Sequence, residues 1–240
     1  MLSLMRTSLV IAILLALPLL ADDLLKETLT TTHTDRFNVP TAGAITIKNS
    51  FGEVDIDGWD RPEVEVTVVR SSEHFYDAAG RAEAQRSLEG AQIKAAQDGN
   101  DVVISTAYIP WNGAHGLSRR HEIGISYRIK APRASKLIVD HNSGGVNISD
   151  ISGDIHATVI NGQITLSLAA AGQYAIDSQC KIGDVYSDFE GHYHRRHLLG
   201  KEFGHQSPAP ATNLYLRARY GDIMILKLHN PPADLTLSLN

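Results

Sequence analysis

The sequence predicts a mainly β chain: a β-solenoid, a right-handed β-helix-like repeat of short strands, with one short helix near 75–88. A β-sandwich is the alternative. Three observations lead there. First, one unit recurs after His141: a small or turn-forming residue, a glycine, a variable residue, then apolar residues on alternate positions. Its glycines are Gly144, Gly153, Gly162, Gly172 and Gly183, nine to eleven residues apart. Second, the apolar followers (Val146/Ile148, Ile155, Ile164/Leu166, Tyr174/Ile176, Val185) keep the period of two that marks a strand with one buried face. Third, copies of the unit return at Gly52-Glu53-Val54-Asp55-Ile56 and Gly221-Asp222-Ile223, so the block at 141–185 is the middle of a longer array. The spacing fits one side of a two- or three-sided coil.

The elements follow in order. Met1–Arg6 carries one positive charge, Leu9–Leu20 is apolar apart from Pro18, and Ala21 precedes Asp22-Asp23. That is the pattern of a secretory signal peptide over 1–21, too short for a spanning helix, which takes about 20 apolar residues. Leu19, three residues before the expected cut, is larger than usual there, so an uncleaved leader is the one expected membrane contact. No cysteine follows the apolar run, which excludes a lipoprotein anchor. Residues 22–43 are a Thr-rich lead-in or first edge strand. A single domain is expected over 44–240.

Ile45/Ile47, Val54/Ile56 and Val64/Val66/Val68 then read as three strands, separated by turns at Asn49–Gly52 and Gly58–Pro62. Phe75–Leu88 is rich in good helix formers, and Gly90 ends it. Ala91–Ala96 and Val102–Ile104 form a hairpin around Asp98-Gly99-Asn100. Residues 109–120 have no period and read as a loop. Ile123, Ile125, Tyr127 and Ile129 alternate up to Pro132, which stops the strand. Residues 190–211 (polar, His- and Arg-rich, ending Pro-Ala-Pro-Ala) read as a loop insertion. Leu214–Ile225 resumes the unit, and Leu235, Leu237 and Leu239 make a terminal strand.

The bulk numbers limit the function classes. The 240 residues are 43% hydrophobic and 20% charged, with a formal net charge of −5. A sizeable core is affordable, and neither disorder nor nucleic-acid binding is indicated. The one cysteine, Cys180, permits no internal disulfide. Its strand context (SQCKI) makes it a buried small hydrophobe rather than a reactive thiol.

The succession GEVDIDGWDRPEVEV, helix and hairpin, EIGISYRIKAP, then NSGGVNISDISGDIHATVINGQITL resembles the bacterial "putative adhesin" family. Members of that family repeat a G-x-I-x-I unit behind an N-terminal signal. The resemblance covers roughly Ala44 to Leu228. It implies a solenoid-like, mostly parallel β-fold in an exported protein of the periplasm, cell surface or extracellular space. It implies no established activity and supplies no catalytic residues. The 190–211 insertion departs from the family's repeat.

Candidate chemistry is sparse. Glu53, Asp154, Gln163, Asp184 and Asp222 follow repeat glycines and would stack about 4.8 Å apart in a solenoid. Carboxylates so placed repel unless solvated or bridged by Ca²⁺. With one acid per unit, they read as exposed turn residues. His192, His194 and His197, with His205 beyond, have a spacing that suits Zn²⁺, Cu²⁺ or Ni²⁺. No cysteine joins them, and Arg195, Arg196 and Lys201 oppose a cation. A solvated loop, or a patch for anionic sugars or lipid heads, is the other reading. Trp111, Arg119, Arg120 and His121 put an aromatic beside basic residues on a loop, a possible ligand patch of the carbohydrate-binding kind. Trp59 is expected to cap an end of the core. There is no G-x-S-x-G elbow and no cofactor motif. The expectation is a non-enzymatic envelope module, adhesin-like, binding or structural, whose partners are envelope proteins or surface polysaccharide. One alternative is a carbohydrate-active β-helix enzyme of the polysaccharide lyase or hydrolase type, by fold analogy alone. Another is a metal-responsive envelope sensor using the histidines.

Overall fold

The computed structural model describes residues 26–39, 43–75, 78–108, 123–196 and 199–228. The signal peptide expected over 1–21, the loop expected over 109–120, His197 and the terminal strand expected at 235–239 lie outside the described residues. In chain order the described elements are β1 (Lys26–Asn38), β2 (Ala44–Phe51), β3 (Glu53–Trp59), β4 (Glu63–Phe75), α1 (Ala78–Gly90), β5 (Ala91–Asp98) and β6 (Asp101–Tyr108). They continue with β7 (Ile123–Pro132), β8 (Lys136–Ser149), β9 (Ile155–Ala169), β10 (Tyr174–Ile182), β11 (Val185–Ser187), β12 (His192–Arg196), β13 (Gly200–Gln206), β14 (Thr212–Tyr220) and β15 (Ile223–Leu228). The structure is mainly β with one short helix, as the periodicity predicts. Among the described residues, no helix is long and apolar enough to cross a membrane.

All fifteen strands belong to one open sheet. Its main path runs β1-β4-β7-β3-β8-β9-β14-β10-β13-β12. The middle of this path, from β7 to β10, is parallel; the outer pairs are antiparallel. Branching off are β2 and β6, side by side and parallel, with β5 antiparallel beyond them. The β8 and β9 strands are long enough to serve two rows. The first half of β8 pairs β2 and its second half pairs β3. The first half of β9 pairs β14 and its second half pairs β15.

A glycine marks the change of row each time. Gly52, Gly144, Gly162, Gly221 and Gly183 all have positive φ (87°, 121°, 149°, 133° and 136°). They also stack. A Cβ on Gly162 would stand 1.8 Å from the Gly144 carbonyl oxygen, and one on Gly221 would stand 1.9 Å from that of Gly162. Only glycine fits where the backbone turns left-handed and the next turn presses on it. Gly153 and Gly172, read from sequence as equivalent openers, are not corners of this kind. They lie in the connections between β8 and β9 and between β9 and β10.

The apolar positions align across strands. Ile45, Leu137, Ile155, Leu214 and Ile176 form one buried row. Val54, Val146, Ile164, Ile223 and Val185 form another beyond the corners. Both rows belong to one apolar cluster. In-register pairing of β-branched and leucine side chains is the main source of stability in such an array. The α1 helix buries Ala84 and Leu88, and Arg70 on β4 donates to the Leu88 and Ala91 carbonyls at 3.2 and 3.0 Å. A cation thus satisfies the helix C-terminus.

Two features depart from the sequence reading. The pair β14/β15 sits between β9 and β10/β11, so the last unit in sequence is not the last in space. And 190–211 is no plain loop: β12 and β13 form a hairpin that extends the sheet past β10.

Candidate functional site

Alternation along β7, β3, β8 and β9 buries every second side chain and turns the others outward. Because these strands are parallel and in register, the outward residues form a grid. One row is Arg128, Asp55, Asn147 and Thr165. The next is Lys130, Asp57, Ser149 and Ser167. At about 4.8 Å between strands and about 6.6 Å per two residues, the grid measures about 14 by 7 Å. A groove of about 260 Å³ runs over it, floored by Ile129 and Ile148.

The groups in the grid are only partly spent on one another. Asn147 Nδ2 donates to Asp55 Oδ1 at 2.9 Å, and the Ser149 hydroxyl donates to Asp57 Oδ1. The second oxygen of each carboxylate takes no hydrogen bond from the described residues. Arg128 makes no ion pair among the described residues, although Asp55 is its direct neighbour across the strands. Lys130 stands 5.6 Å from the Trp59 ring, which Arg61 approaches at 5.0 Å. Trp59 was expected to cap the core. It is instead half-buried at the outward end of β3, its Nε1 donating to the Glu63 carbonyl at 2.8 Å. The arrangement offers cations, carboxylates, an amide and hydroxyls on one surface; its one hydroxyl–carboxylate pair is Ser149 with Asp57, and no histidine lines the groove.

The sheet's other polar clusters are internally satisfied. Arg217 lies 3.7 Å from the Tyr215 ring and pairs with Asp177 at 2.7 Å, while His156 covers Tyr215 at 4.4 Å. Lys201 sits 5.1 and 5.0 Å from the Tyr186 and Tyr193 rings and 3.4 Å from Asp184. Groups already engaged leave less to offer a ligand.

The residues singled out from sequence are placed as follows. His192 and His194 are exposed on β12. His205 on β13 turns away to the Glu190 carbonyl and the Ser207 hydroxyl. Among the described residues no group of three His, Cys, Asp or Glu could hold a metal ion. The patch Trp111, Arg119, Arg120 and His121 lies outside the described residues. Glu53, Gln163, Asp222 and Asp184 share one row next to the glycine corners, but Asp154 does not. Its Oδ1 accepts from the Asn213 amide at 2.7 Å, at the opposite end of β9. The carboxylates of the row cap backbone: Asp222 Oδ1 accepts from the Asp184 amide at 2.8 Å.

Sequence reasoning missed the grid. Each strand shows only two of its members, and EVDIDGW and SYRIK give no sign of adjacency until the register joins them.

No family model and no curated protein matches the chain. Its structure is similar to that of a putative cell adhesion protein from Clostridium sporogenes, with a TM-score of 0.51 and 10% identity over 84% of this chain and 100% of that one. Two weaker likenesses are to putative adhesins. One is from Bacteroides fragilis (TM-score 0.25, 11% identity, 82% of this chain and 97% of that one). The other is from Parabacteroides distasonis (0.22, 9%, 81% and 97%). The first likeness is one of fold.

Proposed function

We propose that this chain is an exported, non-enzymatic binding module of the bacterial envelope, and that the β7-β3-β8-β9 groove is where it engages its ligand. The observation that carries the proposal is the grid: Arg128 and the second carboxylate oxygens of Asp55 and Asp57 are held in register on parallel strands, and among the described residues they are not paired with one another. The groove lining holds no histidine and no cysteine, and nothing in it orients the Ser149–Asp57 pair as a third catalytic group would, which favours binding over turnover. The fold likeness to a protein named for cell adhesion points the same way, as does the apolar leader at 9–20. We read the glycine-cornered units as turns of a short β-solenoid within a single domain over 44–240, to which β1 adds an edge strand. The parallel, in-register middle of the sheet favours this over a sandwich of antiparallel strands.

The test combines location and binding. The full chain, expressed in a Gram-negative host, is expected in the periplasmic or surface fraction. Immobilised, it is expected to retain a component from an array of envelope polysaccharides and envelope proteins, and Asp55→Lys is expected to abolish that retention. Cytoplasmic accumulation would refute export. Release of unsaturated or reducing sugar ends would refute the non-enzymatic reading.

A further inference from the structure

Resting on the groove as the binding site, we infer that its ligand is a carboxylated polysaccharide running along the strands, one ring of which sits over the grid. The acid groups of this polymer meet the β7 column, and its hydroxyls meet the columns of β3, β8 and β9.

The argument starts from the order of the columns. Arg128 and Lys130 stand side by side on β7. A guanidinium presents a planar fork that matches a carboxylate with two parallel hydrogen bonds, and an ammonium adds a point charge. One strand away, about 4.8 Å, stand Asp55 and Asp57. A compact anion such as phosphate, or a peptide carrying acids at every position, would gain at β7 and be repelled at β3. A sugar acid does not suffer this conflict. Its carboxylate takes the cations, while its ring hydroxyls donate to the free carboxylate oxygens and exchange hydrogen bonds with Ser149, Thr165 and Ser167, whose hydroxyls both donate and accept.

The shape agrees. At about 260 Å³ the groove falls below the roughly 300–1,000 Å³ usual for a site that encloses a small molecule. It is an open trough with room for one ring of a polymer.

Titration calorimetry of the full chain tests this, with oligogalacturonate and oligoalginate as acidic probes, a neutral oligoglucan, and oligoglutamate as an acidic peptide. The acidic sugars are expected to bind at least tenfold more tightly than the other two. Arg128→Ala/Lys130→Ala is expected to weaken them at least tenfold with an unchanged melting temperature, since both side chains are exposed. Asp57→Ala separates recognition from mere charge: a sugar hydroxyl bound there is lost and affinity falls, whereas a plain anion would bind more tightly. Equal binding of oligoglutamate or the neutral glucan, still lost in the Arg128/Lys130 variant, overturns the ligand class and leaves the groove standing. Acidic sugars bound equally by wild type and all groove variants overturn the groove. No heat with either acidic sugar overturns the inference, and the envelope array then decides whether the groove binds anything else.

Discussion

The Glu53 carboxylate accepts a hydrogen bond from the Gly145 amide at 3.2 Å, and its Oε2 stands 2.3 Å from where a Cβ on Gly145 would lie. The two glycines of NSGGV therefore do different work. Gly144 turns the backbone at φ 121°, and Gly145 leaves room for a carboxylate from the neighbouring unit. Gly145→Ala is expected to displace only the end of a flexible side chain, costing about 1 kcal/mol for the lost hydrogen bond. Gly162→Ala has no such escape, because the obstacle is the Gly144 backbone and φ is 149°. A loss of about 3 kcal/mol or more is expected. Urea midpoints of the two variants check the ordering, and equal losses would contradict the glycine stack.

Core and surface substitutions should separate widely. Leu166 is fully buried between Ile148 and Ile225, two residues past the row that holds Ile164. Leu166→Ala should cost about 2–5 kcal/mol. Arg133 bridges Asp60 at 2.8 Å and Asp150 at 3.1 Å, but all three side chains are well exposed. Arg133→Ala should cost less than about 1 kcal/mol. Chemical denaturation of both variants against the wild type provides the measurement.

Acid should weaken the fold through His141. The ring is 1% exposed, with Nδ1 2.8 Å from the Ser50 hydroxyl. Burial lowers its pKa to about 4, against the pull of backbone groups at Ser143, Gly144 and Gly52. An unfolded histidine titrates near 6.5, so between these values the unfolded chain binds the extra proton. Stability from the neutral ring is complete above about pH 6.5 and falls as the pH drops toward 4. The slope approaches about 1.4 kcal/mol per pH unit, about 3 kcal/mol in all. Urea melts from pH 7 to 4 should show the decline, and His141→Leu should flatten it. An unchanged slope in the variant would assign the acid sensitivity elsewhere.

Cys180 should be inert while the chain is folded. It is fully buried, its Sγ donates to the Asp184 carbonyl at 3.1 Å, and burial together with the Asp222 charge pushes its pKa up to about 12. Thiolate, the reactive form, is then negligible at neutral pH. A thiol reagent should label it only in denaturant. Rapid labelling of the native chain would mean that the β10 region opens readily.

Much of the architecture was legible because strand periodicity is local. Ile45/Ile47, Val54/Ile56 and Val64/Val66/Val68 declare their buried faces within a few residues. Gly99 announces its hairpin, and the run at 78–90 announces its helix. Glycine before a strand likewise marked Gly52, Gly144, Gly162, Gly183 and Gly221, but it marked Gly153 and Gly172 equally. Only backbone conformation separates a corner from an ordinary turn.

The groove over β7, β3, β8 and β9 makes the contrast plain. The mainly β class, the inward-facing residues, the burial of Cys180 and the polarity of positions 55, 57, 128, 130, 147 and 149 are all readable along the chain. Each of these follows from side-chain chemistry and a period of two. The tertiary structure alone decided that β14/β15 enters between β9 and β10, that 190–211 carries a hairpin, and that Arg128, Asp55 and Asn147 stand on one rung. Those are matters of strand register and order. Backbone hydrogen bonds are indifferent to which strand supplies them, so the choice falls to the packing of the whole core, which no single stretch of sequence displays.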